Sequence, residues 1–377
     1  MTGTAETTGA TVATGVNLAL VRRGTGSVVE SRPAPAVRAG QRAARVLRAG
    51  VCGTDLQIQR RVRPDAATVL GHEALVELAD PVTGVPWHAV LNPVDATDQD
   101  RVLGHSYDGV FQQRLVVDEH GPELVAAGPG LVADLAPLVE PLATVLYGWE
   151  LFEREPARVA VWGGGSTAVL AAVVGELRGV RTFLLHPREE RLRFLAGRGM
   201  FGTTSLHTGP PGVPVDAAFL CLPREAAPAA LTEAVAALGP DGVVDLVGGF
   251  GPGDRHPAAP GVDLGEVRRA NACGLPRPGV VVRRGAAGFT GHRGTARRHL
   301  ERAQRLLLDH PESFGPVVTH VVSLEAAADE LPALAARRAP SAGPAERIKV
   351  LVDPTMTGRA HRAPDLFTTV GELGGTA

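Results

Sequence analysis

Residues 157–196 read ARVAVWGGGSTAVLAAVVGELRGVRTFLLHPREERLRFLA, and no other stretch limits the fold so sharply. The opening run is short, apolar and β-branched, which predicts a buried strand. Three glycines follow, then an apolar stretch too long for a strand, which predicts a helix. A second strand, RTFLL, comes next, with a further helix after it. Downstream, VDAAFLCLP, EAAPAALTEAVAALG and GVVDLVGGF repeat the strand–helix–strand rhythm. Such alternation implies an α/β fold, a doubly wound parallel sheet with helices on its faces.

The glycines also carry chemistry. Gly163, Gly165 and Ala168 form G-x-G-x-x-A at the strand-to-helix junction. The first glycine permits a tight turn, the second lets a pyrophosphate approach the backbone, and the small third residue lets helix pack on strand. Ser166 and Thr167 open the helix, whose first N–H groups are donors to phosphate. The bare pattern is common, but inside a strand–turn–helix unit it predicts a dinucleotide site. The plainer reading, a structural turn, falls behind because three consecutive glycines serve no packing need. An NAD site would offer a carboxylate at the end of the second strand, to hold the ribose 2′-hydroxyl. His186 stands there instead, with Arg188 and Arg191 close by. The arginines read equally as ordinary loop residues or as a pocket for the 2′-phosphate of NADP.

The rest of the chain differs in kind. From 16 to 150, short apolar runs such as NLALVRR, ALVELAD, HAVLNPV and FQQRLVVD alternate with Gly and Pro. That pattern marks a β-rich domain with many turns. The helical segment ADLAPLVEPLATVLYGWELFER leads out of it into an α/β unit at 151–290; a helix, TARRHLERAQRLLLDH, and a strand, ERIKVLVDP, follow. Residues 1–15 are small and polar and are expected to be a disordered tail. A length of 377 residues, 44% hydrophobic and 21% charged, predicts a soluble globular protein of two domains. A formal net charge of -2 offers nothing to nucleic acid or to a membrane surface. Cys52, Cys221 and Cys273 are too scattered for a disulfide framework, and no secretory signal opens the chain, so a cytoplasmic location is expected. Lys349 is the only lysine, which reads as compositional bias rather than as chemistry.

Two stretches, AGVCGTDLQI and VLGHEALVEL, bring Cys52 near His72 and Glu73 in the chain. Zn²⁺ takes thiolate sulfur, imidazole nitrogen and carboxylate oxygen, and keeps one position open in catalytic sites. Glu140, within APLVEPLATVLYG, adds a carboxylate among apolar neighbours. Each has a plainer reading alone: Cys52 as a small buried residue, His72 as a satisfied core histidine, Glu140 as an exposed helix charge.

Taken in order and spacing, GVCGTDLQI, GHEALVEL, DGVFQQRLVV, LVEPLATVLYG, VAVWGGGSTAVLA and VVTHVVSLEAAADEL resemble the zinc-dependent medium-chain dehydrogenase/reductase family, alcohol and polyol dehydrogenases among them. The resemblance covers nearly the whole chain after the tail. It implies a GroES-like catalytic domain at 16–150 and 291–377, interrupted by a Rossmann domain at 151–290, with the active site in the cleft between. It implies one catalytic Zn²⁺ on Cys52, His72 and Glu140, with Glu73 as a fourth or exchanging ligand and Asp55 behind them. Thr54 would pass the substrate hydroxyl proton outward. NADP or NAD would be bound by Gly163, Gly165, Ser166, Thr167, His186, Arg188, Arg191 and Gly248. A homo-oligomer is implied, dimer or tetramer, with the strand near GVVVRRG as a contact. A carboxylate ligand in an EP motif resembles the polyol, cyclitol and sugar branch, so the implied substrate is a small secondary alcohol or ketone of that class.

Two departures qualify the resemblance. The lobe NPVDATDQDRVLGHSYDGVF has no cysteine, so the second, structural zinc of many relatives is not expected. Gln57 stands where a proton-relay histidine often stands, and an amide is neither acid nor base at neutral pH. The rival readings are an NADPH-dependent reductase of an enone or imine, an epimerase or lyase without net redox on the same scaffold, and a catalytically idle binding protein. Gln57, Tyr107, Trp149, Gly248, Gly249 and Phe250 are candidate cleft residues, with core packing the favoured role for Trp149.

Overall fold

The computed structural model describes residues 15–95, 97–118, 123–336 and 346–373. The tail expected at 1–15 lies outside them, except for Gly15. The stretch read as strand–glycine–helix forms strand Arg158–Trp162 and helix Ser166–Leu177, followed by strand Arg181–Leu185. Strands Ser205–His207, Val215–Leu220, Leu238–Asp245 and Ala287–Thr290 complete a parallel set of six. Numbered along the chain, these six lie side by side as 3-2-1-4-5-6, and Val282–Arg284 adds an antiparallel edge. The order reverses between Arg158–Trp162 and Val215–Leu220, the place where open α/β sheets bind ligands beyond their carboxyl ends. Helix and sheet meet closely there: a Cβ on Gly175 would lie 2.3 Å from Thr182 Oγ1.

The second sheet is mixed. Its strands lie in the order His361–Arg362, Val318–Val322, Lys349–Val352, Gln41–Gly50, Glu73–Ala79, Pro86–Asn92, Glu123–Ala126, with Arg114–Asp118 also paired to Gln41–Gly50. Val318–Val322 and Lys349–Val352 come from the far end of the chain, and the latter pairs antiparallel with Gln41–Gly50. Helix Val139–Glu150 links the two sheets and buries Leu142, Val145, Leu146 and Trp149 in a shared core with helices Ser166–Leu177 and Arg297–Asp309. Among the described residues no helix is long and apolar enough to cross a membrane.

The α/β core holds one group that costs stability. Asp245 ends strand Leu238–Asp245 fully buried, and neither carboxylate oxygen has a hydrogen-bond partner among the described residues. A Cβ on Gly148 would lie 2.2 Å from its Oδ2, so only glycine leaves room for it. Burial lifts its carboxyl to about 7, with the Arg268 guanidinium opposing. The folded value therefore lies above the unfolded one. Below about pH 4 both forms are protonated; as pH rises toward 7 the unfolded chain ionises first and stability falls. Asp245→Asn should remove that slope and be the more stable form at pH 8, by about 2 kcal/mol given that a buried amide also stays unpaired. Denaturant titrations at pH 5 and pH 8 check this, and a variant less stable at both would refute it.

Candidate metal and cofactor site

Strand register assembles the site. Gly50 lies opposite Glu73 on one side and opposite Leu351 on the other. Three distant segments therefore end together. Cys52 follows as the N-cap of helix Gly53–Gln59, in a capping box in which Asp55 Oδ2 accepts the Cys52 N–H at 2.8 Å. The other oxygen of the buried Asp55 accepts the Gly71 N–H at 3.0 Å and lies 3.6 Å from His72 Nδ1. One carboxylate thus ties the Cys52 turn to the His72 turn. Gly71 has φ +91°, and a Cβ there would strike the Phe111 ring at 2.7 Å.

The ligand atoms of Cys52, His72 and Glu73 all lie within 4.8 Å of one another. Cys52 is half-buried, His72 5% exposed and Glu73 fully buried. Glu73 Oε1 has no partner among the described residues. Its Oε2 takes the Lys349 ammonium at 2.5 Å, and Lys349 also donates to the Val51 carbonyl at 3.1 Å. The reading of Lys349 as mere compositional bias is therefore corrected: the single lysine is fully buried against a site carboxylate. One signal for it stood in the sequence, a lone ammonium inside the apolar strand RIKVLV of a chain that otherwise uses arginine. A soft thiolate, an imidazole and a carboxylate with one orphan oxygen fit a zinc ion.

Electrostatics bind these groups together. Burial opposes charge on His72, but Cys52 and Asp55 outweigh it and raise its pKa well above the usual range. Glu140, in the first turn of helix Val139–Glu150, lies outside the 4.8 Å cluster and is half-buried. Burial lifts its carboxyl to about 7, Glu73 adds to the rise, and His72 and Lys349 oppose it, so it stands within electrostatic reach of the cluster. Thr54 is half-buried on helix Gly53–Gln59. Gln57 Oε1 accepts the Arg224 N–H at 3.5 Å, beyond strand Val215–Leu220 of the other sheet. The ion pairs Arg60–Glu225 at 2.5 Å and Arg269–Asp100 at 3.0 Å also join the two halves.

Sequence reasoning passed over His105. Its ring meets that of His72 edge-on, with centroids 4.7 Å apart, and its Nε2 is buried without a partner among the described residues. Burial, then His72, Arg63 and Arg293, holds its pKa well below the usual histidine range. Only its place in the cysteine-free lobe could have drawn notice. Tyr107 is half-buried, its hydroxyl likewise buried and unpartnered. Trp149 packs against Phe152 and Phe219, and Phe250 is buried in the α/β core, so both serve packing.

At the other sheet, Gly163 has φ +138°, and a Cβ there would lie 2.5 Å from the Cys221 carbonyl. Gly165, the N-cap of helix Ser166–Leu177, would point a Cβ into open space, which leaves its face accessible to a ligand. Ser166 and Thr167 fill the first turn, half-buried. Gly248 lies beside the Leu222 carbonyl. His186 Nδ1 accepts the Arg188 N–H at 3.1 Å, which leaves Nε2–H as a donor, and burial lowers its pKa. Arg191 is buried, its Nε on the Gly164 carbonyl at 2.9 Å. Arg188 is exposed.

No family model matches the chain. Glucose 1-dehydrogenase of Thermoproteus tenax is 30% identical over 181 residues, 41% of this chain and 51% of that protein. The chain thus matches about half the length of such curated relatives. Among solved structures, 2R,3R-butanediol dehydrogenase from Bacillus subtilis superposes with a TM-score of 0.68 at 19% identity, over 90% of this chain and 100% of its own. A protein of Sinorhizobium meliloti 1021 bound to NADP does so with a TM-score of 0.64 at 17% identity, over 90% and 100%.

Proposed function

We propose that the chain, which shares the fold of 2R,3R-butanediol dehydrogenase and distant sequence kinship with glucose 1-dehydrogenases, is a zinc-dependent medium-chain alcohol or polyol dehydrogenase, an oxidoreductase moving a hydride between a nicotinamide cofactor and a secondary alcohol or ketone, of polyol, cyclitol or sugar type. The observation that carries this reading is the convergence of Cys52, His72 and Glu73 within 4.8 Å. Cys52 and His72 would hold one zinc, with Glu73 or the nearby Glu140 as carboxylate ligand. When bound, zinc supplies Lewis acidity toward the substrate oxygen, and the nicotinamide supplies the hydride acceptor or donor.

The chain's own residues do the positioning. Asp55 fixes the Cys52 and His72 turns against each other. Lys349 holds Glu73 by one oxygen and leaves the other free. Thr54 Oγ would take the substrate hydroxyl proton, and since Gln57 can neither accept nor release one, that proton leaves through water or cofactor hydroxyls. Residues 16–150 with 291–377 would form the catalytic unit and 151–290 the nucleotide unit. The relatives support the substrate class: the Thermoproteus protein is named for glucose and the Bacillus protein for a diol. The antiparallel edge strand Val282–Arg284 is the proposed contact of a dimer or tetramer. Nicotinamide absorbance, followed with zinc-loaded protein, NADP⁺ or NAD⁺ and a panel of polyols, tests the reading; no net change in the cofactor with any of them would defeat it.

The cofactor preference follows from the second strand's end. A carboxylate there would repel a 2′-phosphate, whereas His186 offers a donor nitrogen. Arg191 is committed to the Gly164 carbonyl, so the charge for a 2′-phosphate falls to the exposed Arg188. NADPH is expected to bind at least as tightly as NADH. Arg188→Ala should weaken NADPH by about tenfold, the worth of one charge-assisted contact, and NADH hardly at all. Fluorescence titration of both cofactors measures this; NADH tenfold tighter in the unaltered protein would overturn it.

A further inference from the structure

We propose that the His105 imidazole recognises a second hydroxyl group on the substrate, next to the one that reacts; this deepens the dehydrogenase reading and rests on it. His105 Nε2 is a buried nitrogen with no hydrogen-bond partner among the described residues. Buried polar atoms are rarely left so, because the lost bond to water must be replaced. Its ring stands edge-on to that of His72, centroids 4.7 Å apart, which puts the imidazole beside the ligand cluster.

The backbone that carries the imidazole is held firmly in that place. The His105 backbone N–H donates to the Val102 carbonyl at 3.1 Å, and its backbone carbonyl accepts the Ala67 N–H at 2.8 Å. The neighbouring Gly104 has φ +74°, and a Cβ on it would lie 2.3 Å from the Gly71 carbonyl. The loop thus lies flat against the turn that carries His72. Two residues on, the Tyr107 hydroxyl is also buried and unpartnered. An unmet polar atom beside the ligand cluster suits a hydroxylated substrate and disfavours a hydrocarbon one. Neutral imidazole both donates and accepts, as a hydroxyl requires.

The probes are butane-2,3-diol and butan-2-ol, which differ by one hydroxyl. Their binding to zinc-loaded, cofactor-bound protein is measured by calorimetry, independently of turnover. The unaltered protein should bind the diol about tenfold or more tightly, since a site with hydrogen-bonding groups rejects a ligand lacking the matching one. His105→Phe should bring the two within about twofold, and His105→Gln, which keeps a donor and an acceptor, should retain most of the preference. Zinc content and NADPH affinity should be the same in all three proteins. Equal binding of both alcohols by the unaltered protein, or a preference that survives in His105→Phe, overturns the assignment. Loss of zinc from His105→Phe would also overturn it, by making the residue a support of the ligand cluster. A diol preference lost in His105→Phe, in a protein that turns over no alcohol, would defeat the dehydrogenase reading and leave the hydroxyl contact standing.

Discussion

Replacing Cys52 by serine is expected to strip the protein of metal and to lower turnover by about 10³-fold or more. Lewis-acid stabilisation of developing charge is worth several kcal/mol, and each 1.4 kcal/mol is about tenfold in rate. Serine is nearly the same shape but is not ionised at neutral pH and binds zinc poorly, so the change removes a ligand with little effect on packing. The fold should survive, because the Cys52 N–H bond to Asp55 uses the backbone. Elemental analysis should find one zinc per unaltered chain and well below one in the variant. Two zinc per chain would contradict the absence of cysteine from residues 92–111. A Cys52→Ser protein with full zinc and full turnover would remove the thiolate from the site.

What the sequence revealed follows from how local each feature is. Strand Arg158–Trp162 and helix Ser166–Leu177 were legible because period, length and glycine punctuation all lie within some twenty residues. The positive φ of Gly163 and the open space beside Gly165 were legible too, since both are backbone properties that glycine supplies. Cys52, His72 and Glu73 could be named as donor types. Their convergence depends on the pairing of Gly50 with Glu73, a register between strands that no local pattern reports. Lys349 is the extreme case: its partner Glu73 lies 276 positions away. Arg191 shows the converse. Its place beside His186 left two roles open, and its bond to Gly164 serves the glycine turn, which only the packed helix Glu189–Ala196 could bring about. His105 gave no local sign of its role beyond its place in the cysteine-free lobe, because an unpaired nitrogen is a property of its surroundings.

Lys349→Met should destabilise the metal-free protein by about 3–5 kcal/mol, the usual cost of leaving one member of a buried ion pair uncompensated. Both partners are fully buried, and a Cβ on Gly50 would lie 2.2 Å from Glu73 Oε2, so only glycine leaves room for the carboxylate there. Methionine matches the lysine stem in length, which confines the loss to the charge and to the two bonds made by the ammonium. Zinc changes the outcome, because a cation beside Glu73 can compensate the charge that lysine no longer meets. The variant should therefore gain more stability from added zinc than the unaltered protein does, although its metal-free form is the weaker. The double variant Lys349→Met with Glu73→Gln removes both charges and should recover most of the loss, since a neutral pair carries no uncompensated charge. Urea unfolding of all three proteins, with and without zinc, separates these effects. A single variant as stable as the unaltered chain would mean that Glu73 takes up a proton and needs no counter-ion. A double variant no better than the single one would assign the loss to packing rather than to charge.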